Sequence, residues 1–303
     1  MKIFVSGGNG FLGQHVMKVL KQNPKNQVNT VSSKECDLRL RKNCEKSIKD
    51  KDIVISLAGN VGGIGYNDKF PYTLFYDNAI LGIELMEAAR KAGVKKYVQI
   101  GTICSYPKNT PTPFKEEDLY KGQLEFTNLP YGEAKKVLLV QAQAARRQFG
   151  FNVIYLLPVN LYGPGDNFDQ ESSHVIPAMI RKFSEGVKLK LDKVILWGTG
   201  TPTREFLYVE DAARGIVDAM EKYDNPKPVN LGSGMEISIK DLALKISDLI
   251  GYKGAIVFDE SKPDGQPRRL LDVTRAEKEF GFKATTDFDK GLKKTIEWYK
   301  HQL

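Results

Sequence analysis

The sequence predicts a doubly wound α/β fold, a parallel sheet with helices on both faces, followed by a second, smaller mixed α/β lobe. Three observations carry this. An apolar strand at residues 2–6 runs straight into a glycine-rich turn and an amphipathic helix; apolar strands then alternate with helical segments up to Pro158; beyond it the alternation loosens into loops rich in Gly, Pro and Asn. A chain of 303 residues with 41% hydrophobic content is long enough for one large α/β unit and a smaller one.

The elements follow in order. Lys2-Ile3-Phe4-Val5-Ser6 is a buried strand, Gly7-Gly8-Asn9-Gly10-Phe11-Leu12-Gly13 a turn, and residues 14–22 a helix with Val16, Val19 and Leu20 inward. Glycines let a backbone approach a pyrophosphate, and the helix that follows offers free N–H groups and its positive dipole end, so these seven residues read as a dinucleotide turn. The spacing is Gly7-x-x-Gly10-x-x-Gly13 rather than Gly-x-Gly-x-x-Gly, and the strand-turn-helix context decides the reading. The second strand, residues 27–31, leads to Ser32, Ser33 and Lys34 in place of a carboxylate for a ribose 2′-hydroxyl. Hydroxyls and an ammonium suit a 2′-phosphate, which favours NADP(H), with Glu35 nearby as an opposing charge. Residues 52–57 form a third strand ending at Ala58-Gly59-Asn60, followed by a helix at 73–92, a strand at 97–100, a helix at 130–147 and a strand at 152–157. After the Leu161-Tyr162-Gly163-Pro164-Gly165-Asp166-Asn167 loop, a helix is expected at about residues 174–183. The expected division is a dinucleotide-binding domain over residues 1–165 and a substrate lobe over 166–303, with about 205–235 returning to the first domain. The lobe should cover the carboxyl edge of the sheet, where such folds bind ligands.

Tyr131 and Lys135 stand at i, i+4 on the predicted 130–147 helix, so an ammonium can sit beside a phenol. At ~4 Å and an effective dielectric of ~20, the charge favours phenolate by about 4 kcal/mol, or about 3 pKa units. Such a phenol could exchange protons with a carbonyl or carbinol near neutrality. With the glycine turn upstream, the pair points to hydride chemistry.

Composition narrows the class. No apolar run approaches the length needed to span a bilayer, and the first strand begins at residue 2, leaving no room for a cleaved signal. Three cysteines, Cys36, Cys44 and Cys104, make no disulfide framework, so a reducing cytoplasm is expected. The 45 basic and 37 acidic residues give a net charge of +8, but the basic residues are spread over helical faces and mixed with acids. That distribution speaks against a nucleic-acid partner and is compatible with a polyanionic nucleotide ligand. No metal is expected.

Together, the glycine turn, a strand ending in Gly101-Thr102, Tyr131-x-x-x-Lys135 and Leu156-Leu157-Pro158-Val159-Asn160-Leu161-Tyr162-Gly163-Pro164 resemble the extended short-chain dehydrogenase/reductases that act on nucleotide sugars. The blocks Val61-Gly62-Gly63-Ile64, Cys104-Ser105-Tyr106-Pro107-Lys108, Ser173-His174-Val175-Ile176-Pro177-Ala178, residues 197–207 and residues 261–275 extend the likeness over nearly the whole chain. They are similar to the members that epimerise and reduce a GDP-4-keto-6-deoxy sugar. The resemblance implies a homodimeric NADPH-dependent enzyme that inverts carbons 3 and 5 of GDP-4-keto-6-deoxy-D-mannose and reduces carbon 4, giving GDP-L-fucose. It implies Cys104 as base and His174 as acid for epimerisation, Tyr131 as proton donor for reduction, Lys135 as the ribose-binding group, and Thr102 where the family has serine. For the cofactor it adds Asp37, Leu38, Ala58, Gly59, Pro158, Asn160, Leu161 and His174; for the GDP-sugar it gives Asn160, Val175, Lys182, Trp197, Arg204, Asp264 and Arg269. Three departures concern specificity. Asn9 replaces an arginine that meets the 2′-phosphate, Ile103 replaces a second serine, and Lys182 replaces an arginine on the diphosphate. A reductase or epimerase of a related GDP-4-keto sugar, such as a 6-deoxy-heptose, is the nearer alternative, and a non-catalytic dinucleotide sensor the remote one.

Overall fold

The computed structural model describes residues 1–302. The chain runs β1 (Lys2–Ser6), α1 (Phe11–Lys21), β2 (Gln27–Asn29), α2 (Arg41–Ile48), β3 (Ile53–Ser56), α3 (Ile64–Lys69), α4 (Pro71–Lys91), β4 (Lys96–Ile100), α5 (Leu129–Phe149), β5 (Val153–Pro158) and β6 (Asn160–Tyr162). It continues through α6 (Val175–Lys188), β7 (Lys193–Trp197), β8 (Thr203–Tyr208), α7 (Val209–Lys222), β9 (Val229–Leu231), β10 (Glu236–Ser238), α8 (Ile239–Ile250), β11 (Ala255–Asp259), α9 (Thr274–Phe280) and α10 (Phe288–Lys300). Six strands form one parallel sheet in the order β2-β1-β3-β4-β5-β9. β3, β4 and β5 are buried along their whole length, as apolar strands between two helical layers must be. On one face, Val16 and Leu20 of α1 and Ile216 and Met220 of α7 pack on Ile3, Val5, Val98 and Leu156. On the other, Leu85, Met86 and Ala89 of α4 and Ala142 of α5 cover Phe4, Val54, Tyr97 and Val153.

A separate core holds the C-terminal elements together. Ile176, Ile180 and Phe183 of α6, Leu242 and Ile246 of α8, and Leu292 and Ile296 of α10 surround Phe206 and Tyr208 of β8. Two small sheets border it, β10-β8-β6 and β11-β7. The chain is interleaved: β9 pairs with β5, and α7 packs against α1.

Element ends depart from the expected ones for local reasons. α1 starts at Phe11, inside the glycine turn, because Gly10 already serves as its N-cap. β2 stops at Asn29, short of residue 31; the Thr30 hydroxyl accepts the Gly8 N–H at 3.1 Å and draws the chain off the strand path. α6 runs to Lys188 instead of about 183.

Candidate active site

At the carboxyl edge of the large sheet lies a cavity of about 940 Å³ that reaches from the glycine turn to the C-terminal lobe. The turn is built by close backbone approach. Gly7 has φ +71°, and its carbonyl accepts the Gly10 N–H at 2.9 Å. A Cβ on Gly13 would run into the Gly7 carbonyl oxygen, so the third glycine is needed where helix meets turn. No side chain caps α1, which leaves its first N–H groups for an anion. Gly7, Asn9, Gly10, Phe11, Leu12 and Gly13 line the cavity; Gly8 is turned toward Thr30.

Ser32, Ser33, Asp37 and Leu38 line the far end, as does Arg39, which no sequence motif marks. Arg39 grips Asp37 through Nε and Nη2 and reaches Asp77 on α4 at 2.8 Å, and this pairing holds the Asp37 carboxyl below its usual range. Its place next to a run of surface basic residues hid it. The Ser32 hydroxyl accepts the Lys34 N–H at 3.2 Å, and Lys34 lies outside the wall. Ala58, Gly59, Pro158, Asn160 and Leu161 complete the sheet edge of the cavity.

The middle of the cavity gathers Thr102, Cys104, Tyr131, Lys135 and His174. Thr102 caps a 3₁₀ turn at Ile103–Ser105: its Oγ1 accepts the Cys104 N–H at 3.2 Å, which leaves the hydroxyl proton free to donate outward. Two buried hydrogen bonds dock this turn and the sheet against α5, Ser105 Oγ to the Gly132 carbonyl at 3.1 Å and Tyr155 Oη to the Lys135 carbonyl at 2.8 Å. Gly132 makes the approach possible, since a Cβ there would lie 2.5 Å from the Cys104 carbonyl oxygen. The glycine that follows the tyrosine is thus a packing requirement that the spacing did not reveal.

The electrostatics correct one expectation. Burial raises the Tyr131 pKa above that of a free phenol, Cys104 adds to the rise, and the Thr102 hydroxyl opposes it. Lys135 does not pull the phenol toward neutrality: its Nζ is 5.8 Å from the ring centroid, and burial lowers its own pKa to about 8. Desolvation outweighs the pairing inferred from spacing. His174 is the N-cap residue of α6, exposed at the cavity surface. The protein wall around its ring, and secondarily Arg269, lowers its pKa.

Arg204 and Arg269 close the wall from the C-terminal lobe. Arg204 donates to the Thr203 and Asp264 carbonyls at 2.8 and 3.0 Å, not to Glu205 or Asp211. Burial, then Arg269, lowers its pKa to about 9. Two buried guanidiniums side by side favour an anion between them. Glu205 fixes the frame instead, accepting N–H groups from Ser233, Gly234 and Leu271. Val175, Lys182, Trp197 and Asp264 lie outside the wall. Lys182 Nζ donates to the Ile195 carbonyl at 2.7 Å on the strand bearing Trp197, and Asp264 accepts from the Thr199 N–H and hydroxyl.

A glycine cradle at the first βα turn, joined in one cavity to a tyrosine–lysine pair, is the arrangement of a dinucleotide-dependent enzyme of the short-chain dehydrogenase type. Residues 3–232 match the NAD dependent epimerase/dehydratase family, and the chain belongs to that family. It is 41% identical over 298 residues to a GDP-L-fucose synthase of Sinorhizobium fredii, covering 98% of this chain and 94% of that protein. It is 39% identical to a probable GDP-L-fucose synthase 1 of Oryza sativa, covering 98% and 92%. Among solved structures, a GDP-6-OMe-4-keto-L-xylo-heptose reductase from C. jejuni superposes with a TM-score of 0.93 at 28% identity, covering 100% of this chain and 98% of that one. A GDP-L-fucose synthetase from Naegleria fowleri bound to NADP gives 0.89 at 29% identity, covering 99% and 94%.

Proposed function

We propose that the chain is an NADPH-dependent epimerase-reductase that converts GDP-4-keto-6-deoxy-D-mannose to GDP-L-fucose. The observation that carries this is the meeting, in one cavity, of Tyr131, Lys135 and Thr102 with Cys104 and His174. The first group suits ketone reduction and the second suits proton exchange beside the ketone. The glycine cradle and the uncapped start of α1 fit a pyrophosphate, and Ser32, Ser33 and Arg39 at the far end of the cavity suit a 2′-phosphate. Bound NADPH supplies a hydride to carbon 4.

Cys104 removes a proton from a carbon flanking the ketone, and His174 returns one from the opposite face, which inverts that carbon. Tyr131 then donates its proton to the ketone oxygen as negative charge develops there. A phenol raised by burial keeps that proton until the alkoxide forms, and Thr102 donates a hydrogen bond to the same oxygen. Lys135 holds the nicotinamide ribose. Asn160, Arg204 and Arg269 bind the sugar and its phosphates, while Val175, Lys182, Trp197 and Asp264 extend the site toward the nucleotide. In this reading residues 1–165 carry the cofactor and 166–303 mainly the sugar nucleotide, with about 205–235 belonging to the first unit. The free cysteines Cys36, Cys44 and Cys104 suit a cytoplasmic enzyme. The exposed apolar side chains of α4 and α5 support a homodimer.

A second reading keeps the chemistry and changes the sugar. Ile103 is buried between Thr102 and Cys104, and the heptose reductase superposes over the whole chain, which favours a related GDP-4-keto sugar as the alternative substrate.

Separating the half-reactions tests the assignment. Cys104→Ser should suppress deuterium exchange from solvent into the carbons flanking the ketone while leaving NADPH affinity unchanged. Tyr131→Phe should stop NADPH consumption yet leave exchange measurable. Normal exchange and an epimerised product from Cys104→Ser would remove Cys104 as the base.

A further inference from the structure

The cavity wall contains a buried amide that the reaction just described does not use. Gln266 is 2% exposed and lines the cavity. Its Nε2 donates to the Pro107 carbonyl at 3.1 Å and the Lys108 carbonyl at 3.0 Å, both in the loop that leaves the Cys104 turn. Two carbonyls on the amide nitrogen fix its orientation, so Oε1 faces the other way and accepts from Arg269 Nε at 3.0 Å. Arg269 in turn donates from Nη1 to Cys104 Sγ at 3.7 Å, and its backbone N–H is tied to the Thr203 carbonyl. One side chain therefore binds both the loop that carries the thiol and the cation that touches it.

We propose that Gln266 is a positioning residue for epimerisation: it holds the Arg269 guanidinium against Cys104 Sγ, so that a cation lies beside the sulfur as it removes the proton next to the ketone. The proposal rests on the reading of Cys104 as the base. In the step, the thiolate takes the proton, the C–H electron pair becomes the enolate, and the charge passes from sulfur to the former ketone oxygen beside Thr102 and Tyr131. A thiolate is stabilised by an adjacent guanidinium, and the geometry here leaves the guanidinium little freedom to turn away. Arg204, buried next to Arg269, adds to the positive field in the same recess.

The test uses the full chain and two readouts besides turnover. One is alkylation of Cys104 by iodoacetamide at pH 7, followed by peptide mass spectrometry with Cys36 of the same chain as internal reference. The other is deuterium exchange into GDP-4-keto-6-deoxy-D-mannose without NADPH. Losing a charge-assisted hydrogen bond should slow both by about tenfold or more in Gln266→Met, with Cys36 alkylation, NADPH affinity and melting temperature unchanged. Arg269→Met, which leaves Gln266 its two carbonyl partners, should show the same loss of alkylation and at least the same loss of exchange, since Arg269 also faces the sugar phosphates in the proposed site. In the double variant the two losses should not add, because Gln266 acts through Arg269. Wild-type rates in Gln266→Met, or additive losses in the double variant, would overturn the positioning role. Undiminished exchange in Cys104→Ser would instead remove the base assignment on which it rests.

Discussion

Lys135 sets the alkaline limit of the proposed chemistry. Burial lowers its pKa to about 8, so the ammonium proposed to hold the ribose is present below that pH and is lost as pH rises through it. Accordingly, kcat/KM should fall above pH 8 by about tenfold per pH unit, and Lys135→Arg should move that limb upward. A flat profile to pH 10 would show that the charge is not used. Stability runs the other way. The folded state binds this proton less tightly than the unfolded chain, so the cost of burying the charged amine, present below pH 8, fades as pH rises toward the lysine's free value. The Tyr131/Lys135 pair was legible in the sequence because i, i+4 spacing puts two side chains on one helix face. The direction of the tyrosine shift was not, because spacing carries no information on burial, and here burial dominates. Gln266 was equally hidden: its partners Pro107 and Arg269 are 159 and 3 residues away, and only the folded chain shows that they meet.

At the scale of elements, the glycine turn and α1 form a unit whose geometry leaves no room for a side chain at Gly13. The obstacle to a methyl on Gly13 is the Gly7 carbonyl and the Gly8 backbone, which cannot rotate aside as a side chain could. Gly13→Ala should therefore cost about 1–3 kcal/mol of stability, as overpacking does, and weaken NADPH binding by more than tenfold in calorimetry. Wild-type affinity in that variant would mean that the cofactor's phosphates do not rest on this turn. Strands β1 to β5 and helices α1, α4, α5 and α6 were legible from the sequence, since buried parallel strands read as continuous apolar runs between amphipathic helices. Their ends were less so. The Thr30 hydroxyl truncates β2, and Gly10 lets α1 begin inside the turn, both local hydrogen-bonding events that periodicity does not encode.

At the scale of the whole molecule, the proposed dimer follows from exposed apolar side chains. Tyr72, Phe75 and Tyr76 of α4 are 75%, 40% and 48% exposed, and Val137 and Val140 of α5 are 38% and 54% exposed, on two helices that pack against each other. Such residues mark a surface that associates. Val137→Glu combined with Val140→Glu should convert a dimer to a monomer in sedimentation, and a wild-type chain that sediments as a monomer at micromolar concentration would refute the assignment. The sequence indicated a second lobe over the sheet edge but not how the lobe completes the cavity. That closure depends on Arg204, Gln266 and Arg269 arriving from the C-terminal segments, whose short strands and loops carry little periodic signal. The central claim is that one cavity both inverts and reduces the same sugar. NMR of the product formed from GDP-4-keto-6-deoxy-D-mannose and NADPH in deuterated water tests it directly. The expected product is GDP-L-fucose carrying deuterium at carbons 3 and 5; a reduced sugar that keeps the original configuration and carries no deuterium at those carbons would contradict it.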